Sequence, residues 1–168
     1  TVAAPFLGGE SIGLGAAWGE AEQADSFIFW HLRVPRVAVA LLAGAGLAVS
    51  GMAFQAMFRN PLATPFTLGT SSGAALGASL CIHLGWRFSA LGVSAVTVCA
   101  LAGAVLSILL VYGLTLAREG FSTASMLLAG VAVSFFFSSL ILLLQYLSDY
   151  TRSFRMIRWV MGGLDRVV

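Results

Sequence analysis

Long apolar runs, each bounded by charge or proline, organise the chain from about residue 34 onward. No Asp, Glu, Lys or Arg falls between Arg36 and Arg59, between Arg59 and Arg87, between Arg87 and Arg118, or between Glu119 and Asp149. A helix needs about 20 apolar residues to cross the hydrocarbon of a bilayer, so each gap holds one crossing. The pattern predicts an all-α, polytopic membrane helical bundle with transmembrane helices over about 34–58, 67–86, 88–117 and 122–148. The first stops at Asn60-Pro61, because proline has no N–H and biases its predecessor away from helix. The second follows Thr64-Pro65 and is the least hydrophobic of the set, which turns it toward protein rather than lipid. The third exceeds the length of one crossing and is therefore expected to tilt or to extend past the membrane. Ser122 or Thr123 is placed to cap the fourth.

The flanks read differently. Residues 1–33, rich in Gly and Ala with scattered Glu, read as a loop on a polar side of the membrane. Over 150–161, Arg152, Arg155 and Arg158 recur every three residues beside Phe154, Met156, Ile157 and Trp159. That spacing suits a short interfacial helix, or equally a continuation of the fourth helix into water. Two stripes of small residues, Gly69, Gly73, Gly77 and Ala40, Gly44, Ala48, lie four apart and allow helix backbones to approach closely. From Thr1 to Val168 no leader or first helix is visible, and the sequence reads as a piece of a longer chain.

Composition agrees with a lipid setting. Hydrophobic residues make up 59% and charged residues 10% of the 168, too few charges for a water-facing surface. All nine basic residues are arginine, and the net charge of +2 is too small and dispersed for a nucleic-acid partner. Without lysine there is no GxxxxGK[ST] phosphate loop, so ATP hydrolysis is expected in another subunit. Without Asp or Glu inside the spans, ion-driven transport by this segment is disfavoured. Cys81 and Cys99 sit in apolar surroundings and read as small hydrophobes. His31 and His83 lack a second ligand at metal spacing, so no metal site, cofactor or catalytic residue is expected. An intramembrane serine protease pairing a span serine with His83 is the weaker reading, with no G-x-S-x-G-like nucleophile context read in its support. What remains is a packed helical scaffold with polar groups at its ends, fitted to a transport path powered from elsewhere.

Several stretches resemble one family. Residues 31–78 carry Arg33-Val34-Pro35-Arg36, a small-residue helix with Gln55 near its end, Asn60-Pro61-Leu62-Ala63, and Leu68-Gly69 followed by Ser72-Gly73. Together with FSTASMLLAGVAVS over 121–134 and WVMGGL over 159–164, they resemble, in order, the permease subunits of bacterial ABC importers for cobalamin, haem and iron-siderophores. The resemblance implies a permease of about ten helices, present here as the second to fifth, in the bacterial inner membrane. It implies a second permease copy forming a homodimer or pseudo-dimer, two cytoplasmic ATPase subunits and a periplasmic or extracellular substrate-binding protein. Arg33 matches the outer-face arginine that docks the binding protein, or else anchors the helix at the interface. Thr123 and Ala124 match the loop that closes the path at its cytoplasmic end, where the family often has Thr-Ser, so Ala124 removes a hydroxyl. Arg59, Asn60 and Pro61 match a cytoplasmic turn. The implied cargo is an iron-siderophore or haem-type metal chelate; the alternatives are cobalamin, an oxyanion, or a membrane scaffold that transports nothing.

One rule opposes the orientation so implied. Arg33, Arg36, Arg87, Arg152, Arg155, Arg158 and Arg166 fall on one side of the predicted bundle and only Arg59 and Arg118 on the other. The positive-inside rule puts the larger group in the cytoplasm, whereas the resemblance puts it outside. The rule counts a complete chain, so the resemblance is followed.

Overall fold

The computed structural model describes residues 26–90, 92–117 and 122–163. The chain divides into two units, 1–49 with 163–168, and 50–162.

The first unit contains a π-helical turn, Ile28–Arg33, which runs directly into helix α1, Val34–Phe58. The cause is Pro35. A proline ring collides with the carbonyl four residues back in an α-helix, and a wider turn relieves that contact. The Val34 N–H accordingly donates to the Phe29 carbonyl, five residues back. Residues 28–33 are thus helical rather than part of the expected loop, and Pro35 sits within a continuous helical stretch. Residues 1–25 of that loop lie outside the described residues. Leu41, Leu42 and Val49 are exposed.

In the second unit α1 ends at Phe58, and Arg59 takes a left-handed conformation, φ 47°. Asn60 shapes the reversal: its side-chain oxygen accepts the Leu62 N–H at 2.9 Å and its carbonyl accepts the Ala63 N–H at 3.1 Å. The chain then forms a 3-10 turn, Pro65–Leu68, and helix α2, Thr70–Leu84, separated by Gly69 at φ +73°. The expected span at 67–86 is therefore broken, and at about 1.5 Å per residue α2 reaches roughly 22 Å, short of the hydrocarbon thickness. A small antiparallel hairpin follows, β1 (Ser89–Ala90) with β2 (Val93–Ser94). It takes the start of the expected third span out of helix, leaving α3 at Ala95–Leu116 with Ser94 as its cap.

Helix α4, Thr123–Leu147, is capped by Ser122, whose hydroxyl accepts the Ser125 N–H at 3.1 Å. At Ser148 the backbone becomes extended, and Asp149 caps a separate helix α5, Tyr150–Met161. Of the two readings of 150–161, the structure has the independent helix. Three helical stretches among the described residues, Ile28–Phe58, Ala95–Leu116 and Thr123–Leu147, are long and apolar enough to cross a membrane. This is a multi-pass membrane protein. Phe58, Ala63, Leu68, Leu76, Val111, Val133 and Phe137 form the core of the second unit, while Leu101, Leu109, Phe135 and Leu142 remain exposed, as a lipid-facing surface requires.

Candidate functional site

The centre of the second unit is a three-way junction made possible by glycine. Gly73 lies against the backbone of Gly103 and the side chain of Ser107, and Gly77 lies against the Cys99 carbonyl. Since α3 numbering falls as α2 numbering rises, the two helices are antiparallel. Gly130 of α4 meets the backbone of Thr67 and Leu68 in the same way. Gly69 is not on the helical stripe with Gly73 and Gly77; it is the left-handed hinge before α2, and a Cβ there would stand 2.8 Å from the Ser107 hydroxyl oxygen.

Non-helical backbone is tolerated at membrane depth only where protein satisfies its polar groups. Here it is satisfied. The Ser107 hydroxyl donates to the Leu68 carbonyl at 3.1 Å, and the Thr70 hydroxyl donates to the Pro65 carbonyl at 3.0 Å. Ser134 donates to its own helix at Gly130, 2.8 Å away. Among the described residues no buried side-chain nitrogen or oxygen lacks a partner.

At one end of the unit, α2, α4 and α5 are tied together. The His83 ring nitrogen Nδ1 shares a hydrogen bond with the Ser148 hydroxyl at 2.7 Å. Arg152 donates to the His83 carbonyl at 2.6 Å, and its Nε lies 3.5 Å from the Asp149 carboxylate. Ser148 sits in the break between α4 and α5, so these bonds set the direction in which α5 leaves. The sequence reading missed this tie. Its only local signal was Ser148-Asp149 ahead of an arginine repeat, since His83 lies 65 residues from Ser148.

The remaining residues singled out from sequence are dispersed. Arg33 closes the π-helical turn in the first unit, half-buried. Thr123 and Ala124 open α4, both exposed, next to the Ser122 cap; the preceding residues 118–121 lie outside the described residues. Arg59, Asn60 and Pro61 form the turn after α1. Residues 69–73, Gly-Thr-Ser-Ser-Gly, do spell G-x-S-x-G, a match the sequence reading overlooked. That motif works as a strand-to-helix elbow beside a histidine base. Here Ser71 is exposed on the first turn of a helix that follows a 3-10 turn, and His83 is engaged with Ser148. Among the described residues no three His, Cys, Asp or Glu side chains gather as a metal site would require.

The model of the FecCD transport family matches residues 1–168. The vitamin B12 import system permease protein BtuC of Escherichia coli is 41% identical over 138 residues, covering 82% of this chain and 41% of the relative. A provisionally named ABC transporter permease protein of Methanocaldococcus jannaschii is 33% identical over 164 residues, 91% of this chain and 46% of the relative. The chain thus spans less than half the length of these curated relatives. A solved structure of a provisionally assigned metal-chelate type ABC transporter, in an inward-facing conformation, matches with a TM-score of 0.80 at 30% identity, over 98% of this chain and 50% of that one.

Proposed function

This chain belongs to the FecCD transport family, and from that membership we propose that it is part of the permease subunit of an ABC importer for a bulky metal chelate. The observation that carries the reading is the family match along the whole chain, joined to a helical bundle whose spans hold no Asp, Glu or Lys and no Arg beyond Arg33 and Arg36 near the start of the first. Helices with so little charge give a large chelate a wall with few places to stick. The energy then has to come from a partner that hydrolyses ATP, because this chain has no lysine for a phosphate loop.

In this proposal the complete permease works in the bacterial inner membrane with a second permease copy, two cytoplasmic ATPase subunits and a substrate-binding protein. Arg33 meets an acidic side chain of the binding protein, where a guanidinium gives two-pronged recognition and steering. Thr123 and Ala124 stand at the cytoplasmic closure of the path, and Arg59, Asn60 and Pro61 turn the chain on that same side. An iron-siderophore or haem is the cargo preferred here. Cobalamin is the second reading, favoured by the 41% identity to BtuC.

Uptake separates them. The full-length permease, reconstituted with its ATPase and binding protein in vesicles, is expected to accumulate one of three labelled compounds, a ferric siderophore, haem or cobalamin, only when ATP is supplied. Accumulation of cobalamin alone would replace the preferred cargo. Accumulation of none above the ATP-free control would overturn the importer reading.

A further inference from the structure

Where α2 ends, the chain builds a basic cleft that the transport reading does not use. Gly85, at φ +70°, closes the helix, and the Trp86 N–H reaches back to the Cys81 carbonyl at 3.2 Å. That closure turns Trp86 and Arg87 back over the helix end. Helix α5 runs alongside, held by Met156, which is fully buried, and brings Arg152 and Arg155 to the same place, three residues apart on one face. Together with Val96 in the first turn of α3 they enclose about 220 Å³. A wider hollow of about 500 Å³ adjoins it and shares Trp86, Arg87, Val96 and Arg155.

The charge of this cleft is incompletely answered. Arg152 is engaged with the His83 carbonyl and with Asp149. Among the described residues Arg87 and Arg155 have no ion-pair partner, and no acidic side chain lines the cleft. The first turn of α3 adds the partial positive charge of a helix start. Forked guanidiniums of this kind match the oxygens of a phosphate.

The position decides which phosphate. The cleft lies level with the start of α3 and the end of α4, both long enough to cross the hydrocarbon, and so at the boundary where headgroups sit. Trp86 and Phe88, which line the two hollows, are exposed, as aromatic side chains are at membrane interfaces, and Tyr150 and Phe154 are exposed on the same helix as Arg152 and Arg155. Along α3 and α4 away from that end, Leu101, Val105, Leu142 and Leu143 are exposed and offer a surface for acyl chains. We propose that the Arg87–Arg152–Arg155 cleft binds the phosphate headgroup of an anionic phospholipid whose acyl chains lie on α3 and α4. A free anion satisfies only the arginines, whereas a lipid uses both surfaces. The proposal goes beyond the importer reading and does not depend on it.

The test uses the full-length permease in neutral detergent, titrated separately with phosphatidylglycerol, phosphatidylcholine and inorganic phosphate. The informative variant is the pair Arg87→Gln and Arg155→Gln, since neither guanidinium holds the fold together. It is expected to bind phosphatidylglycerol at least about tenfold more weakly, with phosphatidylcholine binding unchanged, because each basic side chain near an anionic lipid surface contributes appreciably. The Arg158→Gln variant loses the same type of charge at a residue that does not line the cleft, and is expected to weaken binding by no more than about fivefold, the share of a single surface charge and less than the glutamine pair loses. The pair Arg87→Lys and Arg155→Lys, which keeps charge but not the fork, is expected to fall between, and it serves if the glutamine pair does not fold. Equal phosphatidylglycerol affinity in wild type and the glutamine pair overturns the site. An equal loss in Arg158→Gln reduces it to diffuse charge. Inorganic phosphate binding as tightly as the lipid makes it a free-anion site. Unchanged lipid binding with weakened affinity for the substrate-binding protein assigns the arginines to an acidic protein partner instead.

Discussion

At the scale of single residues, the junction rests on the absence of side chains more than on their presence. A Cβ on Gly77 would collide with the Cys99 carbonyl, which is backbone and cannot swing aside. Gly113, on α3 itself, has nothing within 4 Å of the same position. The two substitutions to alanine therefore differ in sign. Gly77→Ala is expected to destabilise the permease by about 1–3 kcal/mol through overpacking, whereas Gly113→Ala is expected to be neutral or to stabilise by up to about 1 kcal/mol through helix propensity. Thermal unfolding of the full-length protein in detergent reads both, and equal melting temperatures would show that α2 and α3 do not meet as described. The four-residue spacing of Gly73 and Gly77 was visible in the sequence. The partners Gly103 and Cys99 were not, because spacing names a face and not what covers it.

At the scale of elements, the chain is punctuated by caps. Asp149 accepts the Arg152 N–H at 3.2 Å and starts α5 at an angle set by Ser148, which is held by His83. Replacing Asp149 with Ala removes that cap and is expected to cost about 1 kcal/mol. The loss belongs to α5 alone, so amide hydrogen exchange should quicken over 150–161 and stay unchanged in α3 and α4; uniform acceleration would contradict an independent helix. The apolar runs were enough to place α1, α3 and α4, because hydrocarbon thickness fixes how long such helices are. Apolarity could not find the break at Gly69, since the 3-10 turn before it is itself apolar and is stabilised by Ser107 from a distant helix. Phe88 and Val93 misled in the same way: hydropathy does not distinguish the hairpin at 89–94 from the first turns of a helix.

At the scale of the whole molecule, the open physical question is which way the bundle faces. Arg87, Arg152 and Arg155 share the end of the second unit at which α3 begins, while residue 117 lies at the other end of α3, roughly 33 Å away at 1.5 Å per residue. The positive-inside rule would put the arginine end in the cytoplasm. A lipid-binding cleft gives those arginines a reason to remain on the outer side, because anionic headgroups can hold them there whatever the charge of the missing loops. The expected arrangement is thus arginines outward, with residue 117 inward. Single cysteines at Ser89 and Ala117, both exposed and small, test it in the full-length protein once Cys81 and Cys99 are replaced by alanine. A membrane-impermeant thiol reagent added outside intact cells should label Ser89→Cys and spare Ala117→Cys until the membrane is opened. Labelling in the opposite order would reverse the bundle and place the cleft in the cytoplasmic leaflet. It would also move the start of α4, with Thr123 and Ala124, to the outer face, where those residues could not close the cytoplasmic end of a path.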